Sequence, residues 1–321
     1  MTARRGYFYA AMANIGWGSM FVATKIAYQV ITPWDILFLR YLIGSIALFL
    51  VYRHQPRKPV QKDDYGAIAF IGIFGYFFSI ALQMISIKLI SSSLASIINT
   101  LGPVVVMILA IPILHEVSTR EKSASIIVTV IGAAIVIGGS GSGNSLIGIA
   151  ICFGGMVAWS LTSVMIRKTC SNYDGIWLTI YTQVIACICS APLAFYDMAK
   201  NGFGGQIRPV HIAAILFVAI ISTAGANLWW TKALEINDAN TSSLFYAVMP
   251  LTASILGIII FHESITPNFI AGSLVIIAGM MLAAFSEVIR QKRREFLERI
   301  TGARPVPLQR ASDDGPDRDP R

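Results

Sequence analysis

Pro103 and Pro250, separated by 147 residues, each stand inside a long apolar run. A proline within a helix cannot donate its backbone hydrogen bond, and its ring displaces the carbonyl four residues earlier. Those carbonyls belong to Asn99 and Tyr246, which coincide under the same offset. A carbonyl released at membrane depth must find water, a neighbouring helix or a ligand. Asn99 and Tyr246 are therefore candidate solute-binding positions beside helix kinks, with a kink that serves packing alone as the competing reading. Gln83 and Trp230 form a further pair at this offset, one offering an amide to a polar solute and the other an aromatic face. Asn14 and Asn227 carry amides that are costly in lipid and are expected to face the protein interior, as binding groups or as partners in interhelical hydrogen bonds. Trp17 and Trp159 are candidates to line the same path, the alternative being anchorage at the membrane interface.

The charged residues invite a second set of assignments. Lys25 and Arg167 each follow a tryptophan, Trp17 and Trp159, by eight residues. They are candidate gating cations that pair with helix-terminal carboxylates or meet an anionic group. Arg40 sits inside an apolar run, roughly 10 Å from its outer end at about 1.5 Å per residue, and is read first as structural, snorkelling or paired with a neighbouring helix. His115-Glu116 and His262-Glu263 recur at the 147 offset. Each glutamate closes a helix, where the macrodipole disfavours a carboxylate. The sequences that follow, Ser118 with Glu121 and Thr266-Pro267, supply helix starts whose amides can compensate. A structural turn is the preferred reading of Glu116 and Glu263, and proton handling the second. Asp35 and Asp174 flank span entrances and Glu235 ends the eighth span, so no carboxylate lies centrally in any of the expected spans.

These residues need a membrane to position them. Of the 321 residues 55% are hydrophobic and 13% charged, more apolar surface than one soluble core can bury. A bilayer span takes about 20 mostly apolar residues. Ten such spans are expected, at about 8–28, 33–52, 66–87, 92–114, 123–139, 146–166, 175–196, 211–234, 240–261 and 267–286. The fold class is thus an all-α polytopic membrane protein. An even number of spans puts both termini on one side. That side carries fourteen loop and terminal Lys and Arg against Lys88, Lys200 and Arg208 opposite, which predicts cytoplasmic termini. Residues 287–300 are dense in charge and helix-compatible, a cytoplasmic extension near anionic headgroups, and the Pro- and Asp-containing remainder to 321 reads as disordered.

The 147 offset also joins Gly132 to Gly279, so the chain contains a repeat. The expected units are residues 1–143, 144–286 and the tail 287–321. Each of the first two holds five spans, an odd number, so the second enters the membrane from the opposite side. Inverted repeats suit alternating access, in which two halves exchange conformations around a midplane site.

The tryptophan-to-cation first helix, the mid-helix proline followed by a terminal glutamate, and the five-plus-five duplication resemble the drug/metabolite transporter superfamily, specifically its EamA branch. The resemblance covers about residues 8–286. It implies ten helices and a central cavity lined mainly by the first, third, fourth, sixth, eighth and ninth. It further implies a carrier of small metabolites, most commonly an exporter of amino acids, with uptake known among relatives.

Other functions fit the residues less well. The net charge of +8 resides in short loops and the tail, without the basic, aromatic-laced surface of a nucleic-acid binder. Cys152, Cys170, Cys187 and Cys189 lack metal-site spacing, and no metal or other cofactor is expected. Neither His-Glu pair continues to HExxH, because Thr119 and Thr266 occupy the fifth positions. Gly138-Gly139-Ser140-Gly141 imitates a membrane-protease serine motif, but it runs into a glycine-rich loop and has no matching histidine helix. An enzyme is not expected. The function read here is a secondary carrier of a small polar metabolite, an amino acid or related zwitterion, most often as an exporter, in a bacterial inner membrane. Uptake or exchange of organic anions or phosphorylated metabolites is the alternative, and a channel or solute sensor the alternative of another class. The expected partners are a small-molecule substrate and the bilayer. A monomer is sufficient and a dimer compatible with the reading.

Overall fold

The computed structural model describes residues 2–56, 59–114, 120–138, 145–170, 172–202, 204–237, 239–261, 266–279 and 281–282. Among them the regular structure is helical, in ten segments: α1 Thr2–Ala27, α2 Pro33–Tyr52, α3 Lys62–Leu89, α4 Leu94–Leu114, α5 Arg120–Gly138, α6 Leu146–Thr169, α7 Gly175–Asn201, α8 Pro209–Ile236, α9 Thr241–Phe261 and α10 Pro267–Gly279. Seven of these, α2 to α4 and α6 to α9, are long and apolar enough to cross a membrane by length and composition. The chain is a polytopic all-α membrane protein.

α1 carries Asn14, Thr24 and Lys25, and its Asn14 and Thr24 are fully buried. It packs on α8 and α9 rather than facing lipid throughout, so its polar groups are hidden by protein.

Helix starts follow from local chemistry. Thr32 and Asp35 form a capping box with Pro33 in the first turn of α2. Ser91, Ser145 and Asp174 each accept a hydrogen bond from an orphan amide at the starts of α4, α6 and α7, and Thr266 Oγ1 accepts from Phe269 N–H at 3.2 Å at the start of α10. Asp35 and Asp174 thus sit at span entrances as caps. His115, Glu116, Ser118, His262 and Glu263 lie outside the described residues.

The two repeats interlock. α1 packs on α8 and α9, and α6 packs on α3 and α4; α2 packs on α8, α7 on α3, and α2 on α7. Pairing α1 with α6, α2 with α7, α3 with α8 and α4 with α9 maps each of these contacts onto another of the set, and the α2–α7 contact onto itself. The α5–α10 contact gives the symmetry its direction. A Cβ on Gly132 would come within 2.7 Å of Gly272 O and 2.8 Å of Ile276, whereas one on Gly279 would meet Thr129 Oγ1 at 2.7 Å and Ser125 O at 2.9 Å. Under the 147 offset Ser125 matches Gly272 and Thr129 matches Ile276. The surface is therefore self-complementary, as across a two-fold axis. Moving back along α5 moves forward along α10, so the helices run antiparallel and the second repeat is inverted.

Two features repeat that the composition does not announce. Ile71–Ser79 in α3 and Phe217–Gly225 in α8 are wound as π-helix. Tyr76 and Thr223 are equivalent within them. The Tyr41 hydroxyl of α2 donates to Tyr76 O, and Gln183 Nε2 of α7 donates to Thr223 O at 3.4 Å. Each widened turn thus receives a side-chain hydrogen bond from the helix packed beside it, in keeping with the rule that backbone polar groups at membrane depth need a partner. In α4 the helix breaks at Thr100–Leu101, before Pro103, and in α9 residues Leu244–Ala247 tighten to a 3-10 turn before Pro250. Each proline is thus preceded by an irregular turn.

Candidate functional site: a central void between the repeats

The broken helices and the two long tryptophan helices meet at the centre of the bundle. Trp17, Met20 and Phe21 of α1, Arg40 of α2, and Ile80 and Gln83 of α3 line one part of a void there. Asn99 and Gly102 of α4, Met156, Trp159 and Ser160 of α6, and Tyr246 and Met249 of α9 complete it. The free space is about 20 Å³, room for roughly one water molecule. Aromatic side chains occupy the middle and leave no room for a larger solute.

Those aromatics form one cluster. Trp17 lies edge-on to Trp159 with centroids 5.5 Å apart, and it approaches Trp230 at 5.4 Å and Tyr246 at 6.4 Å. Trp230 stacks on Tyr246 at 5.0 Å and 18°, and Tyr76 meets Trp159 at 5.4 Å. Their polar edges are tethered: Trp17 Nε1 donates to Asn227 Oδ1 at 3.3 Å and Trp230 Nε1 to Ser163 Oγ at 3.3 Å. The Tyr246 hydroxyl is buried and has no hydrogen-bond partner within bonding distance among the described residues. Gly102 faces the Tyr246 ring so closely that a Cβ would stand 2.6 Å from it, which requires a residue without a side chain.

Five of the eight candidate binding residues line the void: Trp17, Gln83, Asn99, Trp159 and Tyr246. The other three lie behind it. Trp230 backs Tyr246, Asn227 holds Trp17, and Asn14 Nδ2 bonds Ala10 O of its own helix at 2.8 Å, leaving Asn14 Oδ1 unpartnered. Asn99 likewise donates back to Ala95 O at 2.8 Å and reaches Cys152 Sγ at 3.8 Å. Among the described residues the void's wall comes from α1, α2, α3, α4, α6 and α9, so α2 takes the place expected for α8.

That substitution brings in Arg40, which spacing alone suggested was structural. It is 1% exposed and lines the void. Its Nε donates to Thr223 Oγ1 at 2.7 Å, Nη1 reaches Met84 Sδ at 3.7 Å, and its guanidinium carbon lies 5.5 Å from the centroid of the Tyr41 ring. The Thr223 hydroxyl in turn donates to Val218 O, five residues back in the π-helical segment of α8. No sequence pattern signalled this arrangement, because Arg40 and Thr223 are brought together across the repeats.

Arg167 and Lys25, the other candidate cations, lie outside the lining of the void, toward opposite ends of the bundle. Arg167 Nη1 donates to the Leu234 and Glu235 carbonyls at 2.6 and 3.1 Å, capping the end of α8. Lys232 pairs with Glu235 at 2.9 Å and Asp174 at 3.4 Å on the same face. At the opposite face Lys25 lies 5.6 Å from the centroid of the Phe261 ring, and Tyr28 donates to Met84 O at 2.8 Å.

Comparison with known proteins agrees with this architecture. Residues 4–138 and again 146–285 match the EamA-like transporter family. The chain belongs to that family. An uncharacterized transporter of Archaeoglobus fulgidus is 28% identical over 276 residues, covering 86% of this chain and 95% of that protein. One from Clostridium kluyveri is 25% identical over 87% of this chain and 93% of its own length, and the uncharacterized transporter YvbV of Bacillus subtilis 24% over 85% and 89%. A chain of known crystal structure shares the fold, with a TM-score of 0.69 at 16% identity over 87% of this chain and 96% of that one. As an EamA-like protein the chain is an integral membrane transporter, and the family's double match falls on the two inverted halves.

Proposed function

We propose that this protein is a secondary carrier that moves a small polar metabolite, an amino acid or related zwitterion, outward across a bacterial inner membrane by alternating access. The supporting observation is the position of the void: it lies between two inverted repeats, is lined from both, and is narrowed by aromatic side chains. The two broken helices, α4 and α9, contribute Asn99 and Tyr246 directly to it. A solute enters as rings of the Trp17–Trp159–Tyr246 cluster part toward one face, and exchange of the repeats' conformations opens the other. In this reading both termini are cytoplasmic, the units are residues 1–143 and 144–286 with the tail 287–321, and one chain is the working unit.

Purified protein in liposomes, tested for uptake of a labelled panel of amino acids and related metabolites with competition and an imposed pH gradient, examines this directly. Saturable, competable uptake is expected. Absence of flux for every member, by a protein that remains folded, would remove the metabolite-carrier reading in favour of a sensor or channel.

A further inference from the structure

The void is not equally polar all round, and its asymmetry follows the repeat. At three equivalent pairs of positions the first repeat supplies Arg40, Gln83 and Asn99, where the second supplies Thr182, at the 142-residue separation that also relates Trp17 to Trp159, and Trp230 and Tyr246, at 147. Thr182 bonds Leu178 O of its own helix, so the scaffold at this place is served by a neutral side chain. A cation there is an addition to the repeat rather than a requirement of it.

Arg40 is also short of partners for a buried guanidinium. It has five N–H donors. Among the described residues, its hydrogen bonds go to one hydroxyl and one thioether, both neutral. The ion pairs described involve Lys232, Asp174 and Glu235 at the N-terminal face. Asp35, earlier on α2, gives Oδ2 to the Thr32 cap. No carboxylate stands among the residues lining the void. A charge held this deep without a counter-ion is costly, and Arg40 borders a space that a counter-ion can enter.

We propose that Arg40 is the anion-recognition group of the void, and that the carried solute bears a carboxylate held by this guanidinium while its remainder packs on the aromatic wall of Tyr246, Trp17 and Trp159. The proposal rests on the carrier reading above and specifies its substrate class. A planar guanidinium matches a carboxylate in two parallel hydrogen bonds. One cation in the lining balances one negative charge, which favours a carboxylate over a phosphate monoester. The ring wall receives an apolar chain directly, or an ammonium group through cation–π attraction. A solute that is only cationic meets a positive wall and is rejected.

The test uses the full-length protein in detergent micelles, titrated with the L-amino acids and short monocarboxylates, each beside its primary carboxamide. Melting temperature and tryptophan fluorescence report binding. Carboxylates are expected to bind about 100-fold more tightly than their carboxamides, the scale of a buried charge-assisted pair. Arg40→Gln should abolish that discrimination and Arg40→Lys restore part of it. Equal binding of acids and carboxamides by the unaltered protein overturns the proposal, and needs no variant to fold. So does the lack of any carboxylate-dependent change up to about 10 mM, a concentration at which even weak binding registers. Carboxylate binding without uptake in liposomes would instead keep the anion site and remove the carrier.

Discussion

At the scale of single residues, the interior is organised by the need to satisfy polar groups away from water. Thr162, Ser163, Thr179 and Thr182 donate back to carbonyls four residues earlier in their own helices, which lets small hydroxyls sit in a buried helix face at little cost. The Tyr41 and Gln183 side chains do something different, because each serves a carbonyl on another helix. Tyr41→Phe should strand Tyr76 O and lower stability by about 1–3 kcal/mol, read as a lower melting temperature of the purified protein. An unchanged melting temperature would show that the π-turn satisfies this carbonyl by itself. The candidate charges separate on the same grounds: Arg167 is consumed by the carbonyls ending α8, whereas Arg40 has neutral partners and borders the void.

At the scale of elements, the paired breaks and the paired π-turns make α3, α4, α8 and α9 irregular, and α3, α4 and α9 also contribute residues to the wall of the void. Pro250→Ala restores a backbone donor to α9 and removes the ring that forces the turn before it. Transport is expected to slow several-fold while ligand binding in detergent stays within about twofold, since the proline shapes the path between conformations more than the resting wall. Retained transport would assign the kink to packing. Among the described residues the α5–α10 pair adds nothing to the lining of the void. Gly132→Leu should drive its side chain into Gly272 O and destabilise the protein by about 1–3 kcal/mol or more through overpacking. A folded variant of unchanged melting temperature would contradict the close approach.

At the scale of the whole molecule, inversion divides the chain so that α1 of one repeat packs on α8 and α9 of the other, and separation of the halves would expose each one's polar face. The fourteen-to-three distribution of loop and terminal cations predicts how this unit lies in the membrane. Reporter fusions at the two ends, one active only in the cytoplasm and one only outside it, should both report cytoplasm. Opposite signals from the two ends would mean an odd number of crossings and would dismantle the inverted arrangement.

The repeat, its inversion and the positions of Pro103, Pro250, Asn99 and Tyr246 were legible from the chain alone, because apolar periodicity and a fixed offset are properties of sequence order. Trp17 and Trp159 were legible for the same reason, as aromatics at matched places in two copies. Which polar residues reach the void was decided only by the tertiary structure. Asn14, Asn227 and Trp230 have the same chemistry as residues that line it, yet they face neighbouring side chains or their own helix. Arg40 reads as a snorkelling cation because its depth along α2 is all that spacing measures. Its meeting with Thr223, 183 residues away, depends on how a π-turn in α8 rotates that hydroxyl toward α2, and a helix's azimuth is settled by the helices around it.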